Sequence, residues 1–258
     1  MTINLPKNIC WKRLMRLSFL LIYFMKNEAL DWARASTFPK IFKLTGGAGS
    51  SNVKLIKNQQ QANEIIRKAF GKGHSIFDQR KYILQEGISK YRKNKSVISL
   101  FKSFYRSLKP VNKDWVNHIE KDYVYFQEFM PGNDYDSRII VVNQNKVFGY
   151  KRFNREKDFR ASGSGNFEHY HPQNVDERVL KIALEIARKL KMNSVAYDFI
   201  YDKDDQPIII EITFAYGTKG ANKSPGYWDE NLEWHDGILD KFPYWMVEQI
   251  IKKVNNRK

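Results

Sequence analysis

Residues 195–201 and 208–214 read V-A-Y-D-F-I-Y and I-I-I-E-I-T-F, with Asp202-Lys203-Asp204-Asp205 following the first run. Two runs rich in β-branched and aromatic residues around a polar turn predict an antiparallel hairpin. Its period of two gathers Tyr197, Phe199 and Tyr201 with Ile208, Ile210, Ile212 and Phe214 into one apolar face, leaving Asp198, Glu211 and Thr213 on the other. A turn centred at Asp204 and Asp205 sets Asp198 across from Glu211, with Thr213 next on the same side. Facing carboxylates repel, and a hard divalent cation such as Mg2+, which takes oxygen ligands, relieves that repulsion. A solvated face of a half-buried sheet would carry the same residues.

The rest of the chain predicts an α+β architecture in two lobes with largely antiparallel sheets. Residues 38–44 and 53–56 read as strands and 59–70 as a helix. Residues 123–130 read as another strand, 139–142 and 146–150 as a hairpin around Asn143-Gln144-Asn145, and 176–190 as an amphipathic helix. A closing helix is expected from Pro243, with Arg257 and Lys258 fraying. The organisation expected is 1–37 as an N-terminal remnant or linker, 38–122 as a first lobe and 123–258 as a second. The 258 residues are 42% hydrophobic, enough for a sizeable core. A net charge of +16 attracts anions without choosing among nucleotides, lipids, glycans and nucleic acids. A single cysteine, Cys10, excludes an internal disulfide framework and is read as structural.

Two segments invite other readings. Lys12, Arg13 and Arg16 before the apolar run Leu17 to Met25, with Ala33-Arg34-Ala35 beyond, resemble a signal peptide. The charges at Lys26, Glu28, Asp31 and Arg34 favour a buried strand followed by a helix with Asn27 as its N-cap, and the run is too short to span a bilayer. Residues 79–121 hold eleven Lys and Arg against three Asp and Glu, interleaved with Tyr82, Tyr91, Phe101, Phe104, Tyr105 and Trp115. That mixture suits single-stranded nucleic acid. The preferred reading is a helical insertion with a solvated basic face and its aromatics turned inward, so no nucleic-acid partner is expected.

Three further clusters bear on chemistry. Lys43-Leu-Thr-Gly-Gly-Ala-Gly-Ser-Ser-Asn-Val53 joins a lysine to a glycine-rich loop that lets backbone approach phosphates, yet it fits neither a Walker A loop nor a Rossmann fingerprint. Gln127-Glu128-Phe129 ends a strand before Pro131-Gly132. Arg138, Arg152 and Arg160, the last with Ala161-Ser162-Gly163, offer guanidiniums suited to polyphosphate. His169 and His171 are read as incidental loop histidines rather than a metal pair.

Together, in order and spacing, these residues resemble the ATP-grasp superfamily over roughly 38–214. The resemblance implies two lobes enclosing ATP. It assigns Lys43 to the phosphates, Gly46, Gly47, Gly49, Ser50 and Ser51 to a loop over them, and Gln127, Glu128 and Phe129 to the adenine. It assigns Asp136 to the ribose, Arg138, Arg152 and Arg160 with Ser162 to phosphate or acyl phosphate, and Asp198, Glu211 and Thr213 to Mg2+, with Mn2+ as the alternative ion. Where the family carries Glu-x-Asn and Arg-x-Asn, this chain has Glu211-Ile-Thr213 and Arg160-Ala-Ser162, replacing amides with hydroxyls. The Glu211-Ile-Thr-Phe ending with Pro225-Gly-Tyr-Trp-Asp229 is similar to ATP-grasp proteins of bacterial surface-polysaccharide loci, including the teichuronopeptide type. The implied activity is a cytoplasmic ATP-dependent ligase joining a carboxylate to an amine or thiol. The alternative is a nucleotide-binding regulatory protein that has lost turnover. Only about 37 residues precede the first motif, so the substrate domain is expected to be shortened, missing, or supplied by a partner chain or a homodimer.

Overall fold

The computed structural model describes residues 20–46, 52–76, 83–84, 87–88, 91, 97–108, 119–156, 158–163, 165–240 and 242–255. Cys10, Arg257, Lys258, Trp115, Tyr82 and the loop residues Gly47, Gly49, Ser50 and Ser51 lie outside that set. The chain divides into two units, Leu20–Phe129 and the residues from Met130 onward.

In the first unit, β1 (Leu20–Tyr23) is followed by α1 (Lys26–Ala35), β2 (Lys40–Lys43), β3 (Val53–Ile56) and α2 (Gln59–Ala69). Then come β4 (His74–Ser75), α3 (Val97–Leu108), β5 (Ile119–Glu120) and β6 (Val124–Glu128). Four of these strands make an antiparallel sheet in the order β1-β6-β2-β3. Its core packs Phe42, Val124 and Phe126 against Ala29 and Ala33 of α1 and Ala62, Ile66 and Ala69 of α2. The alanines let the helices come close, and Trp32 stacks on Phe126 at 4.4 Å between ring centroids. Helix α2 starts where the Asn58 side chain accepts from the Gln61 amide at 3.0 Å, an N-cap interaction.

Local expectations are corrected here in three places. Asn27 lies inside α1, whose N-cap is Met25 with no side-chain cap bond. The strand read as buried is β1 at the sheet edge, with Ile22 exposed. Helix α3 turns Phe101, Phe104 and Tyr105 to solvent instead of inward.

The second unit holds β7 (Tyr135–Val142), β8 (Lys146–Phe153), β9 (Phe167–His169), α4 (Glu177–Lys189), β10 (Ser194–Tyr201) and β11 (Pro207–Thr213). A short α5 (Thr218–Ala221), β12 (Gly226–Trp228), β13 (Trp234–Asp236) and α6 (Phe242–Asn255) complete it. The sheet runs β11-β10-β7-β8-β12-β13, and β9 pairs with β8. Alternation along the strands sorts side chains to two faces. On one, Ile139, Val141, Val195, Tyr197 and Phe199 bury against Val179, Leu180, Ala183 and Ala187 of α4. The other is divided: Ile140, Val142, Phe148 and Ala196 pack with Leu239 and Phe242, and beyond them the face turns polar at Asp136, Arg138, Arg152 and Asp198.

The register Asp198↔Glu211 is the one read from the turn, but a bulge follows, because Phe199 pairs with Ile209. Ile210 is the extra residue, so Ile209 rather than Ile208 or Ile210 joins the α4 core, and Phe214 is 67% exposed. Phe199→Ala should therefore cost about 3–5 kcal/mol of stability. Phe214→Ser should stay within about 0.5 kcal/mol of wild type. Urea unfolding of both variants checks the contrast.

Candidate active site

The polar end of the second sheet is a network of two guanidiniums and two carboxylates. Adjacent strands set it up, since Asp136 pairs with Arg152 between β7 and β8, and Arg138 pairs with Asp198 between β7 and β10. Arg138 donates from Nε to Asp198 Oδ1 at 2.8 Å and from Nη2 to Oδ2 at 2.7 Å. Arg152 grips Asp136 in the same way, at 2.6 and 2.7 Å, and also donates from Nη2 to Asp198 Oδ2 at 2.6 Å. Asp198 is 2% exposed, Arg152 4% and Asp136 7%.

Burial of this depth punishes isolated charge, and bidentate pairing offsets the penalty. Burial pushes the Asp198 carboxyl up, yet Arg152 and Arg138 together hold it below the usual carboxylate range. Asp136 has a different balance. Burial and the neighbouring Asp198 charge push it up to about 6 against the pull of Arg152. Burial would lower both guanidiniums, and the carboxylates overcome it, so both stay charged.

Glu211 lies opposite Asp198 on the sheet margin and is exposed, with Thr213 two residues on along the same side. The oxygen-only set of Asp198, Glu211 and Thr213 suits a hard cation, which commonly takes one or two protein carboxylates and completes its shell with phosphate and water. Among the described residues no group of three His, Cys, Asp or Glu could hold a metal alone, so such an ion would depend on ligand oxygens. Asp198 already accepts three hydrogen bonds and is buried, whereas Glu211 is exposed to solvent.

The other predicted residues are dispersed. Arg160 pairs with Asp158 in the loop after β8, at 2.9 and 2.6 Å, outside the four-membered network. Its hydrogen bonds hold Asp158 below the usual range. Arg155 donates to the Ser162 carbonyl in that loop. His169 contacts the Gly220 carbonyl at 2.8 Å, and His171 lies beside Trp234, so the two histidines do not converge. A side chain at Gly220 would strike the Tyr150 ring at 2.9 Å, so α5 packs this closely on β8 because position 220 is glycine.

In the first unit, Lys43 ends β2, in register with Val53 and Tyr125. Gln127 is buried, and Glu128 is paired by Lys40, whose Nζ lies 2.5 and 2.6 Å from its carboxylate oxygens. Lys40 is 7% exposed and escaped the sequence reading. Glu120 escaped it as well. Its carboxylate accepts from the amides of Thr45 and Gly46 at 2.9 and 2.8 Å and from the Thr45 hydroxyl at 2.8 Å. Asn52 closes the base of the loop by donating to the Gly46 carbonyl at 2.7 Å. A Cβ at Gly46 would come within 2.5 Å of the Ile76 side-chain tip and 2.9 Å of the Glu120 carboxylate, so a larger residue there would have to displace both.

Residues 106–228 match the family model of the RimK-like ATP-grasp domain. That match spans a little under half of the 258 residues. The match takes in Asp136, Arg138, Arg152, Arg160, Ser162, Asp198, Glu211 and Thr213, while Lys43 and its loop lie before it. Solved structures similar to this chain include biotin carboxylase from Campylobacter jejuni in complex with β,γ-ATP. It is 11% identical with a TM-score of 0.48, over 82% of this chain and 40% of that one. A RiPP-associated ATP-grasp ligase from Chryseobacterium gregarium, in complex with ADP and a leader and core peptide, is 12% identical with a TM-score of 0.47, over 82% and 51%. A RimK domain ATP-grasp protein from Sphaerobacter thermophilus is 13% identical with a TM-score of 0.43, over 77% and 53%. The chain spans about half the length of the solved structures it matches. No curated protein matched it.

The raised Asp136 carboxyl has a testable consequence. A folded value of about 6 exceeds the unfolded value near 3.9. The folded state then binds the proton more readily, so this group's contribution to stability is present at low pH and is lost as pH rises through about 6. Wild type should gain stability relative to Asp136→Asn as pH falls from about 7.5 to about 5. Thermal melts in EDTA across that range check it, and parallel profiles would contradict the assignment.

Proposed function

We propose that this chain is an ATP-dependent ligase. The γ-phosphoryl group of ATP passes to a substrate carboxylate, giving ADP and an acyl phosphate, and an amine or thiol then displaces phosphate. The observation that carries this reading is the buried pairing of Arg138 and Arg152 with Asp198 and Asp136, beside Glu211, inside the segment that matches the ATP-grasp domain. It supplies rigid cationic groups and oxygen ligands together, and phosphoryl transfer is accelerated mainly by positioning and charge stabilisation.

In this reading Arg138, Arg152 and Arg160 meet the transferring phosphoryl group, with Ser162 beside them. Lys43 and the loop of Gly46, Gly47, Gly49, Ser50 and Ser51 meet the ATP phosphates. Glu128 is already paired with Lys40, so the segment Gln127-Glu128-Phe129 would meet adenine through its backbone. Asp136 is held by Arg152, so its part is to aim that guanidinium rather than to grip ribose. Mg2+, or Mn2+ in its place, would be held by Glu211 and Asp198 with Thr213, and would neutralise phosphate charge.

The acceptor we infer is a uronic or amino acid of a surface glycan, which rests on the likeness of residues 211–229 to the polysaccharide-locus proteins. The setting is the cytoplasm, with the substrate domain coming from a partner chain or a second copy. Thr213 and Ser162, standing where amides are usual, favour one rival: a regulatory protein that binds nucleotide without turnover.

Melts of wild type and Glu211→Gln, each with EDTA and with Mg-ATP, test the site. Wild type should gain about 2.7 kcal/mol at a ligand concentration of 100 times Kd, and the variant much less. Without metal the variant should melt at or above wild type, because one of two facing carboxylates is neutralised. Equal Mg-ATP gains would remove Glu211 from the site. ADP release across a panel of carboxylates and amines separates ligase from regulator, since the regulator shows the Mg-ATP gain and no turnover.

A further inference from the structure

Helix α3 is built inside out. Ser103 and Ser107 are 6% and 7% exposed, while Val97, Ile98, Phe101, Phe104, Tyr105 and Leu108 are between 52% and 71% exposed. At 3.6 residues per turn the six apolar side chains fall within an arc of about 120°, bordered on one edge by Lys102 and Arg106. A helix on a globular protein normally turns such a stripe to the core. A contiguous apolar surface left in solvent marks a place where something docks.

We propose that this face of α3 lies on an anionic lipid surface. The segment 79–121, which contains the helix, carries eleven Lys and Arg against three Asp and Glu, a net charge of +8, in a chain of net charge +16. Anionic headgroups complement that charge, and the apolar arc enters the boundary between headgroups and acyl chains. Two signals, an apolar face and a polybasic flank, are what reversible attachment to a bilayer surface requires. A second copy of the chain would instead bring one strongly basic segment against another. Single-stranded nucleic acid would stack on Phe101, Phe104 and Tyr105, but it makes no use of Val97, Ile98 and Leu108, which share the arc. No helix among the described residues is long and apolar enough to cross a membrane.

Co-sedimentation of the full chain with vesicles tests this. One set contains phosphatidylcholine alone and the other about one third phosphatidylglycerol. Wild type should sediment with the anionic vesicles only, and binding should fall as salt is raised to about 0.5 M. The double variant Phe101→Ser/Phe104→Ser should lose about tenfold or more of the vesicle affinity, because it removes two aromatic anchors from the buried face. Both side chains are exposed, so its circular dichroism and melting temperature should stay those of wild type. Wild type ignoring anionic vesicles, or the double variant binding them equally well, would overturn the proposal. So would binding of an oligoribonucleotide, or concentration-dependent self-association, that the double variant loses while vesicle binding is absent.

Discussion

Asp198 accepts three hydrogen bonds from two arginines while 2% exposed, and the rest of the second unit is arranged to allow it. A carboxylate taken out of water is costly unless its partners are fixed and charged. Here they are fixed by sheet register, because Arg138 stands directly opposite on β7 and Arg152 one strand further on β8. The strands are fixed in turn by their other face. Ile139, Val141, Tyr197 and Phe199 alternate with the charged positions and bury against α4, so a slip of one residue would send the charges into that core. Apolar packing thus enforces the polar geometry.

Much of this was legible in the sequence, and the failures have identifiable physical causes. The Asp198–Glu211 register followed from the turn chemistry at Asp202-Lys203-Asp204-Asp205. The Asp136–Arg152 pair is equally implicit in the Asn143-Gln144-Asn145 turn. The residue pattern marks these strands only over 139–142 and 146–150, short of both residues, whereas β7 and β8 extend to them. Arg138 and Asp198 are 60 residues apart, and their meeting depends on strand order, which no local pattern encodes. Three consecutive isoleucines at 208–210 offer nothing to show which one bulges. Strands β12 and β13, of three residues each, are too short to alternate visibly. In α3 the interleaving of basic and aromatic residues suggested a helical insertion but did not show which side met the protein. The expectation that its aromatics turn inward fails there, because Phe101, Phe104 and Tyr105 face solvent.

Both units hold their anion-seeking groups in the same manner. Glu120 occupies the amides of Thr45 and Gly46 at the base of the glycine loop, and Asp198 and Asp136 occupy the guanidiniums of Arg138 and Arg152. An internal carboxylate keeps each donor charged or aimed, and so lowers the ordering cost that a ligand would otherwise bear. It also raises a barrier, because a phosphate that takes the donor must compete with a carboxylate already there.

A divalent cation changes that competition. On the proposed function it would attract the carboxylates and the phosphates alike, and Asp198 or Glu211 would hold it instead of being left unpaired. On the proposed function, nucleotide and metal should therefore bind as a unit at the second-unit network, each weak without the other. The charge count supports this. Two arginines against Asp136, Asp198 and Glu211 sum to −1, so bare ATP would be repelled, and Mg2+ alone would have to draw on carboxylates already paired with guanidiniums. Only the complex satisfies both halves. Titration of ATP in EDTA, of Mg2+ without nucleotide, and of the two together reads this directly. The combined affinity should exceed either alone by well over the roughly tenfold that 1.4 kcal/mol represents. Additive, independent binding would show that the carboxylates do not change partners.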